Sequence, residues 1–365
     1  MPIDAQQCLG FNDVPMSEFW AWSWRHRVGD ANRFFVKQPA SAAHTYGRRL
    51  VMAEGFTTIG PHWQETLWDN LKPTFDKACT EGLNLLVWHA FVCSPKSEGV
   101  PGQQYFAGTH LNPLVTWWEK SQPFFAYLNR CQFLLQQGLF VADVAFYYGD
   151  HVPNFAQLKS SDPAGILPGY DYDVVTAEVL LERMQVREGR FVLPDGMSYR
   201  LLVLRDLGVV SPPVLRRLQT FLQAGGIILG QRPRSPGTLT GYPHTDREFQ
   251  RLVEELWGPA DAPPPQLTPT GAIPRRILTG LGARQVLHIL GIPPDFEWQP
   301  LDGPGPADLD YIHRRTDAAD IYFVAHRGTN ATRVRATFRV AGKVPELWDA
   351  VTGQRRLATD YQIHG

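Results

Sequence analysis

No run of eighteen or more apolar residues occurs in this 365-residue chain, so nothing in it reads as a membrane-spanning helix. Lys and Arg number 35 against 36 Asp and Glu, with no basic block, which excludes the clustered positive face a nucleic-acid partner requires. Cys8, Cys79, Cys93 and Cys131 show neither CxxC nor Cys/His ligand spacing, and free buried thiols are expected rather than a disulfide pair. GxGxxG, the P-loop pattern and the GxSxG elbow are all missing, which removes dinucleotide, phosphate-cradle and serine-hydrolase readings. The opening Met1-Pro2-Ile3-Asp4 has neither the basic nor the apolar region of a secretory signal.

What the chain has in surplus is aromatic. Trp 11, Tyr 12 and Phe 20 make up 12% of it and crowd the first third. Many of these rings are core. Others, among them Trp24, Phe34, Trp63 and Tyr105, fall in expected loops beside Glu, His, Asn and Gln. That mixture suits a sugar, whose C–H faces stack on rings while its hydroxyls take polar partners.

The order of elements in residues 1–138 follows a strand–loop–helix cadence. A short strand is expected over 9–14, followed by a loop through Pro15, Glu18 and Trp20, and then a helix over 41–48. The apolar run 50–57 is a strand with Glu54 at its C-terminal end. An amphipathic helix over 63–81 leads to a strand over 83–88 that ends in His89. Functional groups at strand ends are the habit of a β/α barrel, where the loops on that face vary while the strands hold position. A long irregular loop follows over 93–113, of the kind usually kept for function, and a helix over 117–137 stops at Gly138.

Residues 139–258 alternate strands (140–148, 201–204, 227–229) with helices (175–184, 213–223), plus a short strand pair near 189–193. This is the pattern of a doubly wound, flavodoxin-like α/β domain. Gly225-Gly226 reads as a helix terminator. A Pro- and Ala-rich start marks 259–310 as linker and connecting segment, and 311–365 reads as short alternating strands, the start of a β-sandwich. An eight-stranded barrel takes roughly 250 residues, whereas 1–138 offers three strands. The expectation is therefore α/β: the C-terminal part of a (β/α)8 barrel, a doubly wound domain and a partial sandwich, with the earlier barrel strands lying outside the chain.

Three segments carry a family likeness. They are Asn12-Asp13-Val14-Pro15-Met16-Ser17-Glu18-Phe19-Trp20; Ala40 to Gly47 leading into Ala53-Glu54-Gly55-Phe56-Thr57; and Gly108-Thr109-His110-Leu111-Asn112 with Thr116-Trp117-Trp118. With Gly138-Leu139-Phe140-Val141-Ala142-Asp143, they resemble the α-L-rhamnosidases of glycoside hydrolase family 106 over residues 1 to about 230. The resemblance implies hydrolysis of terminal α-L-rhamnose with inversion by two carboxylates, action on a rhamnose-containing glycan or glycoside, a sugar-binding calcium ion, and an extracytoplasmic location. It makes the strands at 9–14, 50–54 and 83–89 the sixth, seventh and eighth of the barrel. Glu54 becomes the general base, and the partner acid is expected before residue 1.

Each candidate has a rival reading. Glu54 is either base or a carboxylate capping a neighbouring loop; in a retaining, β-galactosidase-type site it would be nucleophile. Glu18 fits a sugar-hydroxyl or calcium ligand, since hard cations prefer carboxylate oxygens, but also a plain salt bridge or the general acid; Asp13 is a weaker version of the same. His89 is either a sugar-hydroxyl donor or a satisfied core histidine. His110 and Asn112 in the long loop, Trp63 with His62 after the Glu54 strand, and Trp117 are read as substrate-binding, against a packing role for each. His44 reads as structural. Asp143, Tyr147 and Asp150 lack a partner set, so the second unit reads as non-catalytic. A non-enzymatic product with weak sugar binding is the remaining alternative.

Overall fold

A computed structural model describes residues 2–22, 35–59, 63, 65–267, 274–301, 308–326, 328 and 330–364. The chain does not open on a strand. Helix α1, Ala5–Gly10, starts where the Asp4 side chain accepts a hydrogen bond from the Gln7 N–H, which satisfies one of the helix's orphan donors. Gly10, Asn12 and Asp13 then turn the chain, so the strand expected over 9–14 falls instead at β1, Met16–Trp22. Helix α2, Lys37–Tyr46, leads to β2, Met52–Thr58. A π-helical turn, Leu67–Leu71, runs into α3, Lys72–Glu81, and β3, Leu85–Trp88, follows. The helix expected from residue 63 therefore begins at 67.

Strands β1, β2 and β3 form a parallel sheet in that order. Side chains alternate across it. Phe19 and Ala53 point into the core beneath, whereas Met16, Glu18, Met52, Glu54 and Val87 share the opposite, accessible face. After the long loop, α4, Gln122–Leu135, packs under the sheet through Phe124, Leu128 and Cys131.

Strand β4, Leu139–Phe140, is followed by a second parallel sheet built from β5, Val144–Tyr147, and β6, Tyr172–Val175. A small antiparallel sheet, β7 Gln185–Arg187, β8 Arg190–Val192 and β9 Ser198–Tyr199, precedes β10, Leu201–Leu204. Helix α5, Pro212–Gln223, leads to β11, Ile228–Leu229, and α6, His244–Trp257. The sheet order is β11-β10-β5-β6. Leu202 and Ala145 face Leu218, Phe221 and Leu252 of α5 and α6. Val144, Phe146 and Val203 face Val286 and Leu287 of α7, Ala283–Ile289. The sequence reading contains neither α6 nor α7. The stretch read as linker holds α7 and β12, Phe296–Pro300. Both helices carry apolar stripes on otherwise charged segments, which a proline-centred reading passes over.

The remaining strands are β13 Leu309–Arg315, β14 Asp320–His326, β15 Val334–Phe338, β16 Glu346–Trp348 and β17 Arg355–Leu357. β12 pairs with β15, β13 with β14 and β4, and β16 with β17, all antiparallel. A buried polar seam joins the two parallel sheets. Lys37 Nζ lies 2.8 Å from Asp171, and Ser41 donates to Asp173 at 3.0 Å. His44 Nδ1 sits 2.9 Å from Asp173, and the Tyr199 hydroxyl donates to the same carboxylate. Burial opposes the Asp173 charge, but His44, Lys37 and Tyr199 outweigh it and hold the carboxyl below its usual range.

Candidate active site

Glu18 and Glu54 are Cα register partners on adjacent parallel strands. Such strands lie about 4.8 Å apart, so the two carboxylates belong to one site. Neither stands where the sequence pattern puts it. Glu18 is inside β1 rather than in a loop, and Glu54 is near the middle of β2 rather than at its end. The strand boundary is displaced because β2 carries a bulge. From Glu18 to Trp20 β1 advances two residues, while from Glu54 to Thr57 β2 advances three.

The extra residue is absorbed at Phe56, whose φ is +66°. An L-residue held there costs about 1–3 kcal/mol. In a regular strand Phe56 would share the Glu54 face. Instead it is buried against Phe19 and Trp88, at ring-centroid distances of 5.2 and 4.9 Å. Thr57 is thereby turned to the Glu54 side. The irregularity is local: from Trp20 to Trp22 β1 advances two residues while β2 advances one, from Thr57 to Thr58, so the register is restored at once and Thr57 is the side chain the bulge brings to the site.

His89 follows β3 directly and meets both residues. Its Nδ1 is 3.0 Å from Glu54 Oε1 and 2.9 Å from Thr57 Oγ1. Nδ1 hydrogen-bonds the Thr57 hydroxyl, donating to it when protonated and accepting from it when not, while the Glu54 carboxylate stands at ion-pair distance. That nitrogen has a partner in either tautomer. The Glu54 side chain is 38% exposed and His89 22%, so the pair is reachable from solvent.

The loop 93–113 is tied to the same strand ends. Gly108 N–H donates to Thr58 O at 2.8 Å, Thr109 N–H to His89 O at 2.7 Å and Thr109 Oγ1 to Phe56 O at 2.7 Å. Gly108 has φ +94°, and a Cβ there would come within 2.6 Å of the His89 carbonyl oxygen. Trp63 is exposed and packs on the His110 ring at 4.6 Å. His110 itself is buried, with Nδ1 2.6 Å from Glu65 Oε1. Asn112 is buried; its amide accepts from Leu114 N–H and donates to Pro101 O, bracing the loop from within. Trp117 is partly buried against the main core. His62, Trp24 and Phe34 lie outside the described residues.

Asp13 is exposed in the turn before β1. Asp143 is buried under Arg339, at 2.8 and 3.0 Å, and Arg200, and Tyr147 is core, so these residues pack the second sheet. Thr57 and Glu65 are the members the sequence reading misses. Both are common residue types whose place depends on the bulge and on the return of the long loop.

Among the described residues no three carboxylate, imidazole or thiolate side chains cluster as a metal site. Glu18 and Glu54 offer carboxylate oxygens, fewer than the six to eight a calcium ion takes. On their own the described residues do not make a calcium cage.

Carboxylates side by side on parallel strands, an imidazole beside one of them and exposed aromatic rings at the rim are the equipment of a glycoside hydrolase. A family model for the α-L-rhamnosidases of glycoside hydrolase family 106 matches residues 1–363, and the chain belongs to that family. It is similar to a rhamnosidase from Novosphingobium sp. PP1Y, with 26% identity and a TM-score of 0.84 over 97% of this chain and 33% of that one. A Formosa agariphila protein provisionally named a beta-glucuronidase is 31% identical over all of this chain and 28% of its own length. A family 42 beta-galactosidase from G. stearothermophilus shares the fold alone, at 12% identity and TM-score 0.51 over 97% of this chain and 58% of that one. The chain thus spans about a third of the rhamnosidase and of the Formosa protein.

Proposed function

We propose that this chain carries the base side of an inverting α-L-rhamnosidase site. The observation that carries the reading is the contact of Glu54 with His89 at 3.0 Å on an accessible sheet face, beside the register partner Glu18. In this reading Glu54 takes a proton from water as the water oxygen bonds to the anomeric carbon. The bond to the aglycone oxygen breaks, and that oxygen is protonated by an acid on the other side of the sugar. Inversion separates the two carboxyls by roughly 6.5–9.5 Å across the ring. Glu18 stands beside Glu54 rather than opposite it, which favours a hydroxyl- or cation-binding role over that of the acid. His89 orients Glu54, and its Nε2 remains to meet a sugar hydroxyl.

β1, β2 and β3 are read as strands of a β/α barrel and the second sheet as a flavodoxin-like domain. β12 to β17 are read as part of a sandwich. The strand–helix alternation and the likeness to two glycosidases support this. Calcium remains part of the reading only as an ion to which Glu18 would lend oxygens, with other ligands supplied from elsewhere, and no step is routed through it. The substrate is a rhamnose-containing glycan or glycoside met outside the cytoplasm. No helix among the described residues is long and apolar enough to cross a membrane.

The test is hydrolysis of an aryl α-L-rhamnoside by the complete gene product carrying this sequence, wild type beside Glu54→Gln. A loss of about 10²–10⁴-fold with unchanged circular dichroism is expected. Equal activity in the two proteins would remove Glu54 from the chemistry. The first-formed sugar should be the β anomer; an α product would recast Glu54 as a nucleophile.

A further inference from the structure

Thr57 reaches the site only because β2 is bulged. The bulge holds Phe56 at φ +66°, a conformation that an L-residue keeps only where its surroundings impose it. The result is one buried hydroxyl 2.9 Å from His89 Nδ1. The backbone of His89 is fixed independently. Its N–H donates to Gly55 O at 3.1 Å, and its carbonyl accepts from Thr109 N–H at 2.7 Å. The imidazole still has two side-chain torsions. Among the described residues, the Thr57 hydroxyl is the hydrogen-bond partner that sets them.

A ring nitrogen has a single bonding direction in the plane of the ring, whether it carries a proton or a lone pair. At His89 Nδ1 that direction is taken by Thr57 Oγ1. Glu54 Oε1, at 3.0 Å, meets the same nitrogen as an ion-pair neighbour without a hydrogen bond. Because a hydroxyl both accepts and donates, Thr57 occupies Nδ1 in either tautomer. The consequence falls on Glu54. A carboxylate that receives a direct N–H bond is stabilised as the anion and gives up a lone pair. A base held in that way takes a proton less readily. With Nδ1 engaged by Thr57, the oxygens of Glu54 stay open to water.

We infer that Thr57 is a positioning residue of the hydrolytic site: its hydroxyl binds His89 Nδ1 and so keeps that nitrogen off the Glu54 carboxylate, which is left free to receive a proton from the attacking water. The inference rests on the proposed function, because it assumes that Glu54 is the base.

The test measures kcat and KM of the complete gene product on nitrophenyl α-L-rhamnoside. The variants are Thr57→Val, which keeps the branched shape and drops the hydroxyl, Thr57→Ser, which keeps the hydroxyl, Glu54→Gln, and Thr57→Val/Glu54→Gln. Thr57→Val should lower kcat about 10-fold, a part of the about 10²–10⁴ that a general base supplies. KM should hold, as expected when the lost interaction serves only the transition state. Thr57→Ser should recover most of kcat. In the Glu54→Gln background the valine should cost nothing further, since groups that act through one another are not additive. An equal loss in both backgrounds would make the hydroxyl a local structural bond; the inference falls and Glu54 stands as base. Wild-type kcat in Thr57→Val, or a serine variant as slow as the valine one, overturns the inference in the same way and leaves the rhamnosidase reading intact. Glu54→Gln as active as wild type overturns the reading and the inference together.

Discussion

The two parallel sheets are built alike and finished differently. β11-β10-β5-β6 has helices on both faces, and its strands read as apolar runs such as Leu201-Leu202-Val203-Leu204. That is the rule for parallel sheets, whose crossovers normally cover both sides. β1-β2-β3 obeys it on one face only. On the other it shows Glu18, Glu54 and an exposed Val87. Its β3 edge borders a groove of about 380 Å³ lined by Leu85, Trp88 and α4. There Gln132 accepts from Leu86 N–H at 2.7 Å and Gln136 donates to Asn84 O. The covered sheet spends its side chains on stability. The accessible one carries carboxylates, a strained Phe56 and the only described Glu–His contact at a strand end on that face, so it is where chemistry belongs.

Substitutions can break or sharpen this contrast. The largest effect should be that of Glu54→Gln, which costs about 10²–10⁴-fold in turnover yet leaves the urea midpoint of unfolding where it was. A large drop in midpoint would move Glu54 to the structural side. In the buried seam, Lys37→Met leaves Asp171 one cation, Lys159 at 3.3 Å, beside the Tyr172 N–H. Removing one partner of such a buried pair should lower stability by about 3–5 kcal/mol in equilibrium denaturation. In the covered sheet, Leu202→Ala should cost about 2–5 kcal/mol, with little change in activity per folded molecule.

A smaller effect is expected from pH. Asp320 holds His313 at 2.8 Å and also binds Arg315 and Lys343, both at 2.6 Å. Burial disfavours its charge, but the hydrogen bonds from Lys343, Arg315 and His313 prevail and bring its pKa down to about 2. An ordinary Asp titrates near about 3.9. The folded value lies below the unfolded one, so the stability it contributes is present above about pH 4 and is lost as pH falls through about 2. Denaturation midpoints between those pH values should fall less steeply in Asp320→Asn than in wild type. Smallest of all, Val87→Thr, tested in this chain taken alone, should change stability by about 0.5 kcal/mol or less; a loss of several kcal/mol would mean that this face is covered even there.

Much of the covered sheet was legible in advance. The strands at 201–204 and 227–229 and the helix starting near Pro213 follow from apolar runs, a Pro at the first helical turn and glycines after the last. The β region from Tyr311 onward was legible for the same reason, since period-two alternation is local. Less was readable at the start. Residues 9–14 look strand-like by composition, but Asp4 caps a helix that runs into them. α7 was hidden by the proline-rich stretch before it. Its stabilisation comes from Val286 and Leu287 meeting the second face of the sheet, a contact no local pattern records.

By itself the sequence determined that the chain is α/β, that Glu54 and His89 belong to strands about thirty residues apart, and which family it resembles, because these depend on periodicity and on uncommon residue combinations in order. Only the tertiary structure decided that Glu18 lies beside Glu54, that Thr57 joins them, that His110 meets Glu65 and Trp63, and that Asn112 bonds across the long loop. Strand register and a single-residue bulge choose which side chains share a face, and both are set by pairing between distant segments rather than by the residues along any one of them.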